Sequence, residues 1–346
     1  MAAPLNVLSP ALKTLVEAVD NVLVVRDGAL LYRKLSPAFD ALVITQNLTL
    51  DATHFDLNDP AVSFNLDHTN SVLSLTVPKG VKIHETLYLF TLQGEDDLIH
   101  QTHLTLEDQS ALTLFEYLGN ATQAGINLVS HAAVGAYATL EYLSLSAHTQ
   151  HAAVSLNRFA HIHERAKATY TLAVFGEALT QQNTHHILLG YQSESLVKVV
   201  ALTDQTQEAF IRTLVEHRAI DSTGNIEHYG VANNESFLTF EGMGKILKGM
   251  RQSKAFQSTK GVVLAPKARL DANPLLVIDE YDVEAGHGAA VGRIDEEQLY
   301  YMMSRGLTKK EAERLIINGF LAPLSQLLAN PVMDEHIRTL LTTKTL

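Results

Sequence analysis

The chain contains no cysteine. Disulfides and thiolate metal sites furnished by this chain alone are therefore excluded. It has no tryptophan either, and aromatic residues make up only 7%, which weighs against an aromatic-lined carbohydrate groove. No apolar run approaches the roughly 20 residues of a membrane helix. No basic segment followed by an apolar core marks a signal peptide near the start, so no membrane contact is expected and the cytoplasm is the default location. Positive charge is scarce: 26 Lys and Arg against 38 Asp and Glu leave a formal charge of −12. That balance argues against nucleic acid or an anionic membrane surface as the principal partner. The glycine pairs Gly242-Met-Gly-Lys245 and Gly286-His-Gly288 lack Walker or dinucleotide spacing, so nucleotide binding by this chain is not expected. No Gly-x-Ser-x-Gly elbow is present.

What the chain does have is alternation. From about residue 40 to 285, apolar and polar residues alternate, as in Leu73-Ser-Leu-Thr-Val77, Leu140-Glu-Tyr-Leu-Ser-Leu145 and Val197-Lys-Val-Val-Ala-Leu202. A period of two sends one set of side chains inward and the other outward. The strands also recur. Segments opening at Lys79, Asp108, Gly135, Arg165, Ser193 and Ser222 each begin with a small or polar turn and run into an alternating strand, in steps of about 27–30 residues. A unit of that length with no helical pattern suits the coils of a parallel β-helix, each burying its inward face against its neighbours. An antiparallel sandwich or a set of jelly rolls is the alternative. The near absence of Asn-Gly and Asp-Gly between the strands speaks against tight meanders. Within the recurring body, Leu275-Leu-Val-Ile278 reads as a buried strand.

A solenoid has two ends whose unpaired backbone must be covered. Ser9-Pro-Ala-Leu-Lys-Thr-Leu-Val-Glu-Ala-Val19 reads as a short amphipathic helix, with Ser9 as N-cap and Pro10 at the first helical position. After Ile294 the pattern becomes helical. Asp295-Glu-Glu-Gln298 is a capping-box variant opening a helix that Gly306 ends, and Thr308-Lys-Lys-Glu311 is a second capping box. The helix behind it places Ala312, Leu315, Ile316 and Phe320 on one face and is loosened at Gly319. A third helical stretch, Leu324 to Leu328, ends at Pro331, and one or two amphipathic turns close the chain. The domains expected are an N-terminal helical or irregular cap over 1–40, a parallel β-helix over 41–293 and a helical domain over 294–346.

Histidine is abundant, at 16 residues. His161 and His163 would leave a strand on one face, and His185 and His186 would split across two. His131, His148, His151, His217 and His228 are distributed over the rungs. No carboxylate triad and no His-x-His with a distant Glu marks an enzyme-like metal centre, so these read as exposed or hydrogen-bonded rung histidines. Acidic pairs such as Asp96-Asp97, Asp279-Glu280 and Glu296-Glu297 are what a glycosidase would need, provided that carboxylates face each other across a sugar. A β-helix polysaccharide-active enzyme and a His-based metalloenzyme are thus the enzymatic alternatives. His287, between Gly286 and Gly288, is as suited to a turn as to a ligand.

The residues Asn273-Pro-Leu-Leu-Val-Ile-Asp-Glu-Tyr-Asp-Val283, Gly286-His-Gly-Ala-Ala-Val-Gly-Arg-Ile-Asp295, Gln298-Leu-Tyr-Tyr301, Ser304-Arg-Gly-Leu307 and Glu311-Ala312 strongly resemble the SufB/SufD family of iron–sulfur cluster assembly proteins. The likeness is specific over about residues 250–322 and faint before about residue 75. It implies a right-handed β-helix. Within the family the chain resembles SufD rather than SufB, whose scaffolds use a cysteine thiolate. Where a SufD relative can carry Cys-x-His, this chain reads Ala285-Gly-His287. The resemblance implies a non-catalytic scaffold subunit that pairs with a cysteine-bearing SufB-like subunit and self-associates when isolated. It implies that His287 is offered as an iron ligand near the shared interface, with no cofactor held stably by this chain alone and iron or a cluster shared only transiently. It also implies that a SufC-like ABC ATPase docks on Ser304, Arg305, Gly306, Leu307, Glu311, Leu315, Ile316 and Phe320.

Overall fold

A computed structural model describes residues 4–46, 55, 59–120, 122–148, 153–176, 179–321 and 330–344. Its body is a parallel β-solenoid of about seven turns. Successive strands alternate between two sheets, one of ten strands and one of nine. Leu140 of one coil lies beside Ala168 of the next, then Ser195, then Gly224, then Ala255. That register is the sequence repeat made visible, and the sandwich alternative falls away.

The corners explain the turn that opens each repeat. Gln109, Tyr137, Arg165, Gln192, Asp221 and Gln252 all have φ between 50° and 62°. A left-handed non-glycine residue costs roughly 1 kcal/mol. Each corner recovers that cost by donating its N–H to the next coil, as in Gln109 to Ala136 O at 2.8 Å and Tyr137 to Glu164 O at 2.8 Å. Gly190 is needed for a different reason. A Cβ there would lie 1.9 Å from the Glu164 backbone nitrogen.

The lumen holds the main core, including Leu87, Leu114, Leu140, Ala168, Val199 and Phe240. A second apolar layer, with Phe90, Tyr117, Phe175, Val200 and Val231, lies on the outer face of the ten-stranded sheet. At the N-terminal end, helix α1 (Pro10–Glu17) has Ser9 as its cap, accepting from Leu12 N, with Pro10 at N1. Strand Val22–Arg26 pairs parallel with strand Lys82–Gln93 and antiparallel with Ala29–Lys34. A hairpin therefore covers that end of the ten-stranded sheet. Helix α2 (Pro60–His68) sits on the other sheet, anchored by the buried Asn65, which donates to His100 O and Asn127 O.

Among the described residues, three helices follow the last strand: α3 (Glu296–Ser304), α4 (Lys309–Phe320) and α5 (Pro331–Lys344). Asp295 caps α3, Gly306 has φ +98°, and the Thr308–Glu311 capping box is complete. Several sequence expectations change here. Helix α4 runs through Gly319 to Phe320, because Ile317 and Leu321 bury on either side of it. Leu315 is 56% exposed, and the buried face is Ala312, Ile317 and Leu321, with Ile316 and Phe320 half-buried. Pro331 begins a helix, as its fixed φ suits the first turn. The stretch Leu324 to Leu328 lies outside the described residues, as does His151.

Helices α4 and α5 pack along the outer face of the solenoid, not over the last coil. Ile317, Leu321, Met333, Ile337 and Leu341 join the outer apolar layer, Phe320 meets Tyr229 at 6.0 Å between ring centres, and His336 meets Tyr117 at 5.8 Å. Asn330 donates to the carbonyl of Ala18 at 3.1 Å. The C-terminal arm therefore runs back to the N-terminal helix and, among the described residues, leaves the far end open.

Candidate functional site at the open end of the solenoid

The two final strands are Arg269–Ile278 and Glu284–Arg293, and each is the last of its sheet. In a parallel ladder a residue turns its N–H and C=O to the same neighbour, and the next residue turns them to the other side. Glu284 N bonds to Ser253 O, so Ala285, His287, Ala289, Val291 and Arg293 direct their backbone groups away from the solenoid. In the other sheet Asp279 N bonds to Ile246 O and Arg269 N to Ser236 O. Leu270, Ala272, Leu276 and Ile278 then face outward, with Pro274 between them offering no N–H. Among the described residues no further strand pairs with either edge.

This overturns one expectation. Leu275-Leu-Val-Ile278 is a strand but not a buried one. Leu275 is 42% exposed and Val277 47%, because among the described residues no strand stacks beyond the last coil. Phe256, Ile278, Tyr281 and Val291 are exposed with them. Apolar side chains beside an unpaired, extended edge form the kind of surface that natural proteins cover or pair.

His287 lies on this edge in register with Gln257. Gln257 and Thr259 are buried in the lumen, so His287, on the same face one coil later, stands at its mouth and is exposed. The other named residues meet at the α3–α4 junction. Ser304 Oγ donates to Tyr301 O at 2.7 Å. Arg305 donates to the Tyr301 hydroxyl at 3.1 Å and lies over its ring. Gly306 makes the left-handed turn, and Leu307 is half-buried. The Thr308 N–H and hydroxyl hold the Glu311 carboxyl below its usual range. Tyr300, Tyr301, Met303 and Leu315 leave an exposed apolar surface on the same helices. The sequence reading did not name Ile317, whose burial is set by the outer face of the solenoid against which α4 packs.

The histidines sort by the phase of their strand. His185 points outward, 3.4 Å from Glu216, whose carboxyl is held well below its usual range, chiefly by that hydrogen bond and then by Arg218 and Lys245. His186 points inward and bonds to Ser195 Oγ at 2.8 Å. His217 bonds to Ser222 and His228 to Thr213. His131 and His161 are 3.1 Å apart, while His163 follows the end of its strand. Among the described residues no group of three His, Cys, Asp or Glu could hold a metal ion. The converging triad required by the metalloenzyme alternative is therefore not found there.

The lumen also holds an ion pair that the sequence did not reveal. Arg158 and Glu116 are fully buried, 3.3 Å apart. Tyr142 donates to Glu116 and Ser144 accepts from Arg158. Burial, then Glu116, pushes the Tyr142 phenol well above its usual range, so it stays a donor.

Residues 90–320 match the family model described as "SUF system FeS cluster assembly, SufBD core domain". The chain belongs to the SufBD family. The matched span runs from the end of the Lys82–Gln93 strand to the end of α4, and so includes both the open edge and the α3–α4 junction. The iron–sulfur cluster assembly protein SufD of Bacillus subtilis is 34% identical over 258 residues, which is 72% of this chain and 59% of that protein. SufD of Escherichia coli is 26% identical over 282 residues, 77% of this chain and 65% of that protein. The chloroplastic protein ABCI7 of Arabidopsis thaliana is 24% identical over 312 residues, 85% of this chain and 65% of that protein. The chain thus spans roughly three fifths of the length of its SufD relatives. No helix among the described residues is long and apolar enough to cross a membrane.

Proposed function

We propose that this chain is a non-catalytic, SufD-like scaffold subunit of the SUF iron–sulfur assembly machinery, working in the cytoplasm. The single observation that carries the proposal is the unsealed last coil. Among the described residues its backbone is unpaired and its apolar side chains are exposed, while helices α4 and α5 lie against the outer apolar layer instead. A cysteine-bearing SufB-like subunit docks on that edge and supplies the thiolates this chain lacks. In its absence a second copy occupies the same edge, giving a homodimer. His287, exposed at the edge, offers an imidazole nitrogen to iron or to a cluster passing through the interface as cargo. The chain alone holds neither stably. A SufC-like ABC ATPase docks on the α3–α4 junction, where Tyr301, Leu307 and Leu315 supply apolar surface and Arg305 and Glu311 supply charge. Burial of Ala312 and Ile317 fixes that helix on the solenoid, leaving its outer face for the ATPase.

Co-expression with a SufB-like and a SufC-like protein tests this reading on a sizing column. A complex containing all three is the expected result. Elution of this chain by itself would overturn it.

A further inference from the structure

Half of the buried network around Arg158 is bonded and half is not. Glu116 uses Oε2, which accepts from Tyr142 and from Arg158 Nη2. Arg158 uses its two Nη atoms: Nη1 donates to Gln182 Oε1 at 3.4 Å, and Nη2 also donates to Ser144 Oγ at 2.9 Å. The Arg158–Gln182 bond fixes which end of that carboxamide is nitrogen. The other atoms of the same groups, Glu116 Oε1, Arg158 Nε and Gln182 Nε2, are buried and have no hydrogen-bond partner, and neither has Thr184 Oγ1. Buried polar atoms are costly to leave unmet, so their gathering about one guanidinium calls for a ligand.

The register shows where it sits. Thr102, Ser130, Arg158, Thr184 and Thr213 take the same position on successive strands of the nine-stranded sheet, and all are buried in the lumen. Short Ser130 and Thr184 thus flank the arginine, whereas the next inward position of the same strands carries Leu128, Leu156 and Ile211. Neighbouring strands are about 4.8 Å apart, too far for hydroxyls in one column to bond directly. Two bonds of about 2.8 Å through a water span that gap. The donor set selects the ligand. Arg158 Nε and Gln182 Nε2 donate, Glu116 Oε1 accepts, and the Thr184 hydroxyl does either. An anion would be repelled by Glu116, and a metal cation by the guanidinium. Water has two protons and two lone pairs, and it commonly satisfies buried groups of both kinds at once. We infer that the lumen beside Arg158 is a structural water site. Water there accepts from Arg158 Nε and Gln182 Nε2, donates to Glu116 Oε1 and Thr184 Oγ1, and hydrates the ion pair from inside the solenoid.

Diffraction from crystals of the full-length chain tests the site directly. A water should lie within hydrogen-bonding distance of Arg158 Nε and of at least one of Glu116 Oε1, Gln182 Nε2 and Thr184 Oγ1. In solution, oxygen-17 relaxation dispersion counts the waters held inside the protein. The triple variant Glu116→Leu, Tyr142→Phe, Arg158→Met should hold at least one fewer than wild type. An equal count in the two proteins overturns the inference. So do crystals in which these atoms bond one another or pack against carbon with no water among them. The diffraction result needs no variant, so misfolding of the triple variant would not shield the inference. Neither measurement uses a partner or iron, so the site stands or falls apart from the scaffold reading.

Discussion

The buried Arg158–Glu116 pair gives the sharpest test of how the lumen is built. Replacing Arg158 with Met removes the cation and leaves the Glu116 carboxylate fully buried, with Tyr142 and, at 3.5 Å, Ser144 as its remaining donors. Removing one partner of a buried ion pair costs about 3–5 kcal/mol, because the other charge is left uncompensated. Domains of this kind have only about 5–15 kcal/mol in total. At roughly 2–4 °C per kcal/mol for a large domain, Arg158→Met should lower the melting temperature by about 6–20 °C. The triple variant Glu116→Leu, Tyr142→Phe, Arg158→Met removes both charges and the phenol that donates between them. It should recover most of that loss, since an apolar replacement of a buried pair is often neutral or better. Thermal unfolding followed by circular dichroism measures both variants. Chemical denaturation checks that the array still unfolds as one unit, because solenoids can lose cooperativity. A single variant that costs under about 1 kcal/mol, or a triple variant as unstable as the single, would refute the claim that the pair is held by mutual compensation.

Four further outcomes follow from the same geometry. Gly190→Ala places a Cβ against the Glu164 backbone and should cost about 1–3 kcal/mol by overpacking, measured by urea unfolding. Stability should fall on acidification. Burial lowers the pKa of His100, His186 and His228 to about 3 and that of His217 to about 4, so the unfolded chain binds protons first. Each of these residues should withdraw about 1.4 kcal/mol per pH unit below about pH 6.5, down to its folded pKa; stability independent of pH between 7 and 5 would contradict their burial. Ile317→Ala should cost about 2–5 kcal/mol, whereas Leu315→Ala should change stability by less than about 0.5 kcal/mol and weaken capture of the ATPase in a pull-down. His287→Ala should melt with wild type and lower cluster assembly in the reconstituted complex, seen as slower growth of iron–sulfur absorbance.

Much of this was legible in the residues. Alternation with a fixed repeat length describes a stack of equivalent coils, because a parallel solenoid places the same position of each repeat side by side. Caps at Ser9, Asp295 and Thr308 were legible for a local reason: a cap depends on a residue and its neighbours three positions away. What failed was everything that depends on where one element meets another. Leu275 and Val277 have the composition of a core strand, and only the absence of a following coil exposes them. Leu315 and Ile317 are both apolar on one helix, and the direction of the solenoid's outer face decides which one is buried.

The sequence by itself determined the coil, its length and the absence of a thiol, because these reside in period and composition. The tertiary structure alone decided that the C-terminal arm folds back to Ala18 instead of sealing the last coil, that Arg158 finds Glu116 across the lumen, and that His287 stands above Gln257. Those pairings join residues far apart in the chain. No local pattern encodes them, since their energies depend on burial that exists only once the coils have stacked.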